Sequence, residues 1–271
     1  MTNKIGFAAE FFEGKQEPDA FVGGGECLSP RKSVVQVYFA NDNRTLAYYN
    51  DRFDLREGDM VYVEGSKAGI RGRVTGINYN FKIKVSDYKR VIFLVDTHVS
   101  GQFFMGGSHF VTFDRETLPR SQVITWYKAP TTGEEEVVTG SDDSSIFLED
   151  LSGMNVTPAI AQRGREYYLE NRVRYLCIDG TKGYAIVEGS EAYEVEFEYL
   201  DGEIWGLVCD CYCSYNCKHE FAAMLQLRET LGLICRQYAE LYEASGYFAA
   251  IHKAALFAFA IDQKEAGSFT L

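Results

Sequence analysis

The first third of the chain alternates short apolar segments with polar turns. The segments are five or six residues long, rich in β-branched and aromatic side chains, and separated by Gly and Asp. Such segments at regular spacing are typical of β-strands. The predicted strands cover residues 34–39, 45–49, 60–64, 70–74, 81–85 and 91–95.

Six short strands at this spacing predict a small barrel. The succession of turn, strand, turn and strand over residues 55–74 resembles that of OB-like or SH3-like modules. We therefore expect an N-terminal β-barrel-like domain of the OB or SH3 type over residues 1–130.

The second half of the chain predicts an α+β arrangement. Thr157 suits the N-cap and Pro158 the first position of a helix over residues 158–171. The predicted strands cover residues 173–177, 184–187, 193–199 and 203–208. In the third of these, the period of two separates a core face from an acidic face. The core face carries Tyr193, Val195, Phe197 and Tyr199, and the acidic face carries Glu194, Glu196 and Glu198.

Helical spacing of apolar residues resumes after residue 216. Asn216 is a suitable N-cap, so we expect a helix that runs to about Leu231 with His219 in its first turn. Further helices are predicted over residues 233–244 and 247–261. The last one is apolar on nearly all sides, which indicates either burial or a partner surface.

Charge is distributed unevenly along the chain, whose net charge is -12. Residues 1–130 carry 17 Lys and Arg against 15 Asp and Glu, and residues 152–271 carry 10 against 17. Residues 131–151 carry seven acidic residues and no basic one, together with turn-forming residues and no apolar periodicity. This acidic segment is predicted to link the first domain to a second domain over residues 152–271.

Cysteine and histidine are concentrated in one short segment. Cys209, Cys211, Cys217 and His219 lie within eleven residues, more densely than a folding core requires. Three thiolates and one imidazole complete the tetrahedral shell of a structural Zn²⁺ site and leave no open position for a substrate. Cys213 offers an alternative set of ligands, in which it replaces Cys209.

The spacing Cys-x-Cys, five residues, Cys-x-His resembles the ligand pattern of the SWIM zinc finger. In that family the first two cysteines follow a strand, as Cys209 and Cys211 follow the predicted strand 203–208, which favours the first set. The family often has proline where this chain has Tyr212, and Cys213 is an additional departure. The helix that contains residues 163–168 and the strands after it also resemble the segment that precedes the ligands in bacterial SWIM proteins. The resemblance covers residues 152–231 and implies an interaction role, with DNA or proteins, rather than a reaction.

The cysteine count favours reduced thiols. Seven cysteines leave one unpaired, and a disulfide between Cys209 and Cys211 would close a strained ring. Residues 1–7 form no apolar signal segment, and no apolar run is long enough to span a bilayer. We therefore expect a cytoplasmic protein without membrane contact, in which Cys27, Cys177 and Cys235 are small buried hydrophobic residues.

No catalytic motif is recognisable. The sequence contains no nucleophile elbow, phosphate loop, HExxH segment or dinucleotide fingerprint. His98 and His109 have no paired acid or cysteine nearby in sequence, and His252 lies in the predicted apolar helix. The glycine-rich segments 23–25 and 106–109 are interpreted as turns. The alternative is an enzyme whose active site in the N-terminal domain brings together His98, His109 and acidic side chains.

Cations and aromatic residues alternate in the first domain, as they do in barrels that bind a phosphate backbone and stack bases. The cations are Lys67, Arg71, Arg73, Lys82, Lys84, Lys89 and Arg90, and the aromatic residues are Tyr79, Phe81, Tyr88 and Phe93. We take Lys82, Lys84, Lys89 and Arg90 as the candidate nucleic-acid contacts. The alternative is a solvated strand face.

The acidic second domain disfavours a nucleic-acid duplex, because affinity for phosphates depends on Lys and Arg contacts. It favours a cationic or neutral protein partner, with Trp205, Tyr212 and Tyr215 as aromatic contacts. Together these observations favour a non-catalytic, zinc-binding interaction protein of bacterial type. We expect it to act through protein contacts, and through DNA or RNA contacts of the first domain, in a nucleic-acid-associated assembly.

Overall fold

The computed structural model describes residues 30–130, 140, 144–211, 213, 215–261 and 269–270. The chain is α+β with mostly antiparallel sheets, and it divides into two compact units between Leu94 and Val95. We predicted the boundary near residue 130. The difference arises because residues 95–130 contribute strands to the sheet of the second unit.

The strands and helices are numbered in chain order. The strands are β1 Ser33–Phe39, β2 Arg44–Asn50, β3 Met60–Val63, β4 Gly72–Asn78, β5 Val91–Leu94, β6 Gly101–Gln102, β7 Phe104–Gly106, β8 His109–Thr112, β9 Ser145–Phe147, β10 Val173–Asp179, β11 Lys182–Glu188, β12 Ala192–Leu200, β13 Glu203–Cys209, β14 Tyr247–His252 and β15 Phe269–Thr270. The α-helices are α1 Arg120–Thr125, α2 Pro158–Leu169, α3 Lys218–Gln237, α4 Ala239–Ser245 and α5 Lys253–Leu256. A π-helical turn, Phe257–Ile261, follows α5.

The first unit is built on a five-stranded antiparallel sheet in the order β2-β1-β4-β3-β5. Its core consists mainly of β-branched residues of these strands, including Val35, Val37 and Val61, with Tyr48 and Leu55. An isolated bridge between Tyr49 and Arg90 connects the two ends of the sheet. The described ladders do not form a closed barrel, so the barrel that we predicted is replaced by a five-stranded sheet whose ends meet at this single bridge.

The predicted strand 81–85 is wrong. Residues 81–84 have no regular structure and Val85–Asp87 form a 3₁₀ turn. Phe81 packs edge-on against Tyr49, with ring centroids 6.2 Å apart, whereas Lys82 and Lys84 are exposed. The alternation of apolar and basic residues therefore reflects an extended segment with one side on the protein, without a strand partner in the described ladders. The strand predicted over residues 70–74 begins two residues later and continues to Asn78.

The second unit is built on an eight-stranded antiparallel sheet in the order β7-β8-β14-β10-β11-β12-β13-β9. Alternate residues of β10 face opposite sides of this sheet. Leu176 and Ile178 belong to the core formed with α2 and α3. Tyr175 faces the other side, where its hydroxyl donates a hydrogen bond to the Leu118 carbonyl at 2.8 Å. The segment around α1 therefore covers part of the face opposite α2 and α3.

The predicted strands of the second half are confirmed as β10 to β13, each extended by one or more residues. The hairpin between β12 and β13 turns at Asp201 and Gly202, whose φ angles of 51° and 89° suit a two-residue type I′ turn. β9 pairs with β13 within the segment that we predicted to be a linker. Residues 131–139 and 141–143 of that segment lie outside the described residues.

The C-terminal helices differ from the predictions. Residues 247–252 form the central strand β14, between β8 and β10, instead of a helix. An apolar run without alternation suits a strand buried on both faces as well as a buried helix. The predicted helix 233–244 is divided at Tyr238 into the end of α3 and the whole of α4. Within the described ranges, no helix combines the length and the apolarity needed to cross a membrane.

Helices α2 and α3 are in close contact at Gly164. A Cβ atom at this position would lie 2.8 Å from the Cβ of Phe221 and 3.0 Å from the carbonyl oxygen of Lys218. Both atoms are held by the backbone of α3, so they cannot move aside at little cost. Glycine at position 164 therefore determines how closely α2 approaches the first turns of α3.

We predict that Gly164→Ala lowers the free energy of unfolding of the second unit by about 1–3 kcal/mol, the usual cost of overpacking. Denaturant unfolding, monitored by tryptophan fluorescence, measures this free energy. Both tryptophans, Trp126 and Trp205, lie in the second unit, so the signal reports on that unit. Gly232→Ala is the matched control. A Cβ there meets only the end of the Arg236 side chain, at 3.4 Å, so this change should stabilise by about 0.5–1 kcal/mol through helix propensity. Equal effects at the two glycines would contradict the close-packing account.

Candidate metal centre

Four predicted ligand residues come together where β13 ends and α3 begins. Cys209 is the last residue of β13, Cys211 lies in the following turn, Cys217 is the N-cap of α3, and His219 lies in its first turn. Their ligand atoms all lie within 4.8 Å of one another. The cluster can therefore hold a metal ion. Cys213 is exposed and is not a member of it.

The helix cap fixes two of these residues. The Cys217 sulfur accepts a hydrogen bond from the Glu220 backbone N–H at 3.5 Å, and the Glu220 carboxylate accepts one from the Cys217 N–H at 2.7 Å. This is a capping box in which cysteine takes the place of serine or threonine. Asn216, which we predicted as the N-cap, instead donates its side-chain amide to the Glu220 carboxylate at 3.1 Å. The spacing Cys-x-x-Glu was the signal in the sequence that could have identified this cap.

Aromatic rings hold the imidazole of His219. The ring of Tyr193, on β12, stacks on it with a centroid distance of 4.0 Å and an interplanar angle of 15°. Tyr167, on α2, packs at 5.5 Å. The Nδ1 atom lies 3.7 Å from the sulfur atoms of both Cys209 and Cys217. The buried Nε2 atom has no hydrogen-bond partner among the described residues, so Nδ1 is the atom directed at the cluster.

The thiols of the cluster have unequal proton affinities. A hydrogen bond from the Cys209 thiol, with smaller contributions from His219 and the Glu220 N–H, lowers the pKa of Cys217. The same hydrogen bond raises the pKa of Cys209, and burial raises the pKa of Cys211. Cys217 is therefore the thiol most easily converted to a thiolate. A cation that binds all three sulfur atoms has to displace the remaining thiol protons.

The carboxyl group of Glu220 lies next to this thiolate. It is buried, and burial, together with the Cys217 charge, raises its pKa to about 7. Positive charge at the cluster offsets the repulsion between these two acidic groups. The arrangement therefore suits a cation.

The candidate nucleic-acid residues divide into two groups. Lys82, Lys84 and Lys89 are exposed. Arg90 forms an ion pair with Asp51, and its guanidinium lies 5.3 Å from the ring centroid of Tyr49. Arg90 thus has a structural role in the first unit, and the three lysines provide the free charge.

Lys67, another member of the predicted cation and aromatic cluster, points inward. Its side chain is largely buried, forms an ion pair with Asp42, and lies 5.5 Å from the ring centroid of Phe39. It is therefore not part of an exposed basic surface.

His98 and His109 do not converge on a pocket. His98 is exposed, whereas His109 is fully buried on β8. The Nε2–H of His109 donates to the Val173 carbonyl at 2.8 Å, and the Ser108 hydroxyl donates to Nδ1 at 2.9 Å. Because a carbonyl can only accept, Nε2 carries a proton, and burial favours the neutral imidazole, whose Nδ1 then accepts from the Ser108 hydroxyl. The predicted active site of the alternative enzyme is therefore not assembled from these two histidines.

The other cysteine and aromatic residues selected from the sequence differ in their exposure. Cys177 is buried as predicted, but Cys235 is exposed on α3. Tyr215 is 73% exposed and Trp205 is half-buried, so both can contact a partner. Cys27, Tyr212 and the glycines at 23–25 lie outside the described residues.

Comparison with known proteins shows sequence similarity over part of the chain. No family model matches the chain, and no solved structure matches it. The chain is 41% identical over 69 residues to an uncharacterized protein of Methanocaldococcus jannaschii. The matched segment is 26% of this chain and 29% of the archaeal protein, so the chain spans less than a third of that relative's length.

We predict that protonation of His109 contributes to acid denaturation of the second unit. Burial lowers the pKa of His109 from its ordinary value of 6.5 to about 4 in the folded protein. The unfolded chain therefore binds a proton at a higher pH than the folded chain does. The stability due to the neutral imidazole is present above pH 6.5 and is lost as the pH falls toward 4, by about 2 kcal/mol at pH 5.

Denaturant unfolding of the native protein and of His109→Gln, each at about pH 7.5 and pH 5, measures this contribution. The native protein should lose about 2 kcal/mol more between the two pH values than the variant does. The comparison cancels the acid sensitivity of the metal cluster, which both proteins share. Equal losses would show that His109 is not the titrating group.

Proposed function

We propose that this protein is a zinc-binding, non-catalytic interaction protein whose second unit is a SWIM-type domain. The observation that carries the proposal is the convergence of Cys209, Cys211, Cys217 and His219 at the junction of β13 and α3. Three thiolates and one imidazole fill a tetrahedral zinc shell. Zinc bonds of about 2.3 Å to sulfur and about 2.0 Å to nitrogen give edges of roughly 3.5 Å between the two donor types. The 3.7 Å separations of His219 Nδ1 from two sulfur atoms are close to this value.

The order of elements supports the SWIM-type assignment. A strand delivers Cys-x-Cys, a short loop follows, and Cys-x-His begins a helix, as the resemblance implies. The preceding helix α2 packs directly on α3 at Gly164. A filled four-ligand shell favours a structural ion, since catalytic zinc keeps a position open for water or substrate. The proposed function is therefore binding, with protein partners contacted by the second unit.

The purified protein should contain about one zinc per chain, because the cluster forms one closed site. Elemental analysis measures this content, and removal of the ion by a chelator should lower the thermal stability of the second unit. Protein that folds without any metal, or that keeps its stability when the ion is removed, would contradict the proposal.

Two matched cysteine variants distinguish the two possible ligand sets. Cys209→Ser should release the metal far more readily than Cys213→Ser, because only the first change removes a converging sulfur. Release is measured by competition with a colorimetric zinc chelator. The opposite ranking would assign the site to Cys211, Cys213, Cys217 and His219.

The first unit supports a second binding function, toward DNA or RNA. The observation that favours it is the exposure of Lys82, Lys84 and Lys89 on one short segment. Residues 30–94 carry 12 Lys and Arg against 7 Asp and Glu, in contrast to the acidic second unit. The exposed ring of Tyr79, covered on one side by the Arg31 guanidinium at 4.1 Å, provides a stacking surface beside them. We propose that this segment contacts the phosphates of a single-stranded nucleic acid.

The joint change of Lys82, Lys84 and Lys89 to Gln should weaken oligonucleotide binding and its salt dependence. Loss of three phosphate contacts reduces the slope of log affinity against log salt by about 2 to 3. Fluorescence anisotropy with labelled single-stranded DNA and RNA, at several salt concentrations, measures both quantities.

Three exposed arginines outside this segment provide the control. Arg115, Arg163 and Arg236, all in the second unit, should tolerate joint change to Gln with little effect on the slope. If this control variant loses binding instead, the second unit is the nucleic-acid surface. If native protein does not bind, the protein-interaction function stands without the nucleic-acid function.

A further inference from the structure

The outer face of the large sheet, opposite α2 and α3, has two different halves. In the first half, near α1, acidic side chains of β12 are neutralised within the protein. Arg120 forms an ion pair with Glu196, and Lys128 contacts Glu194 at 3.2 Å. Lys128 also forms an ion pair with Asp210. These contacts leave little charge for a partner in this half of the face.

The second half of this face exposes three large apolar side chains around one acid. Leu200 on β12 is paired with Glu203 on β13, which is paired with Phe147 on β9, so the three side chains project from the same face with Glu203 in the middle. Leu200 is 51% exposed and Phe147 is 61% exposed. Trp205, two residues after Glu203 on the same strand, projects beside them. We call Leu200, Phe147 and Trp205, which surround Glu203, the outer apolar row.

An open cavity of about 870 Å³ adjoins this row. Trp205, Leu200, Val208 and Phe197 line it, together with two acids, Glu196 and Glu198, and two cations, Arg120 and Lys182. An aliphatic or aromatic side chain of a partner can be buried there against the indole. Exposed aromatic side chains beside a cavity are typical of the residues that dominate binding energy at interfaces.

The acids around the outer apolar row are not neutralised. Within the part of the chain that the structure describes, Glu198, Asp201 and Glu203 form no ion pair with a basic side chain. Arg120 is already paired with Glu196, and Lys182, which lies opposite Glu198 on β11, does not balance three acids. The row therefore has a net negative rim.

We propose that the outer apolar row, with its acidic rim, binds a cationic amphipathic segment of a partner protein. The apolar side chains of the segment contact Trp205, Leu200 and Phe147, and its Lys or Arg side chains contact Glu198, Asp201 and Glu203. The charge of the rim selects this occupant, because complementary potentials determine which partners associate.

A second copy of the chain is a poorer occupant of this surface. A two-fold symmetric contact through the same patch places two copies of each of the three acids in one interface, which concentrates negative charge there. Nucleic acid is disfavoured for the same reason, since phosphates meet the acidic rim. The proposal concerns a different surface from the metal cluster and does not depend on the identity of the ion.

The test uses the whole chain of 271 residues in its metal-loaded form and a labelled peptide of about twelve residues, in which lysine alternates with leucine and phenylalanine. Anisotropy should show saturable binding. Two double variants should each weaken peptide binding by at least about tenfold. Leu200→Ser with Phe147→Ser removes the apolar contacts. Glu198→Lys with Glu203→Lys reverses the charge of the acidic rim. Binding should also change the fluorescence of the native protein, and this change should be lost in Trp205→Phe.

Control variants carry the same kinds of substitution elsewhere on the second unit. Leu169→Ser removes a leucine that is 65% exposed at the end of α2, and Glu243→Lys reverses an exposed acid on α4. Each should change the affinity less than about twofold, as surface positions outside an interface do. Metal content and melting temperature of all variants, measured alongside, separate a lost surface from a lost fold.

Three results would overturn the proposal. The first is that the peptide does not bind saturably. The second is that the control variants weaken peptide binding as much as the patch variants do, which indicates unspecific attraction to an acidic protein. The third is that light scattering shows a native dimer that the patch variants dissociate, which assigns the surface to a second copy.

Discussion

The second unit depends on the side chains that meet between the end of β13 and the start of α3. Three sulfur atoms and one imidazole lie within 4.8 Å, closer than uncompensated thiolates are stable together. A cation bound to them would join the end of a strand to the start of a helix across the short loop at residues 210–216. The surrounding structure is arranged to hold this junction. Tyr193 fixes the imidazole, the cap with Glu220 fixes Cys217, and Gly164 lets α2 approach α3.

Much of this local arrangement could be predicted because its signals are local. The spacing of cysteine and histidine identified the four clustered residues, and the alternation on β12 identified both faces of that strand. The Asp201-Gly202 turn likewise follows from two adjacent residues. Such signals do not depend on which distant segment completes the sheet.

The errors arose where distant pairing decides the structure. Residues 247–252 form a strand because β8 and β10 lie on either side of them, and β8 is more than a hundred residues away in sequence. The same pairing assigns residues 95–130 to the second unit. Residues 81–85 show the opposite case, since their alternation suits a strand but the described ladders offer them no partner. The stacking of Tyr193 on His219 had no signal in the sequence, because nothing in the spacing of either residue indicates it.

β13 connects the metal cluster, the core and the outer face of the sheet. Ile204 lies in the core, Trp205 projects to the outer face, and Cys209 supplies a sulfur atom to the cluster. Since side chains alternate along a strand, a shift of one residue in β13 would exchange the core and outer positions. The cluster holds one end of the strand and the turn at Asp201 and Gly202 holds the other. The position of the indole on the outer face is therefore set by both ends of the strand.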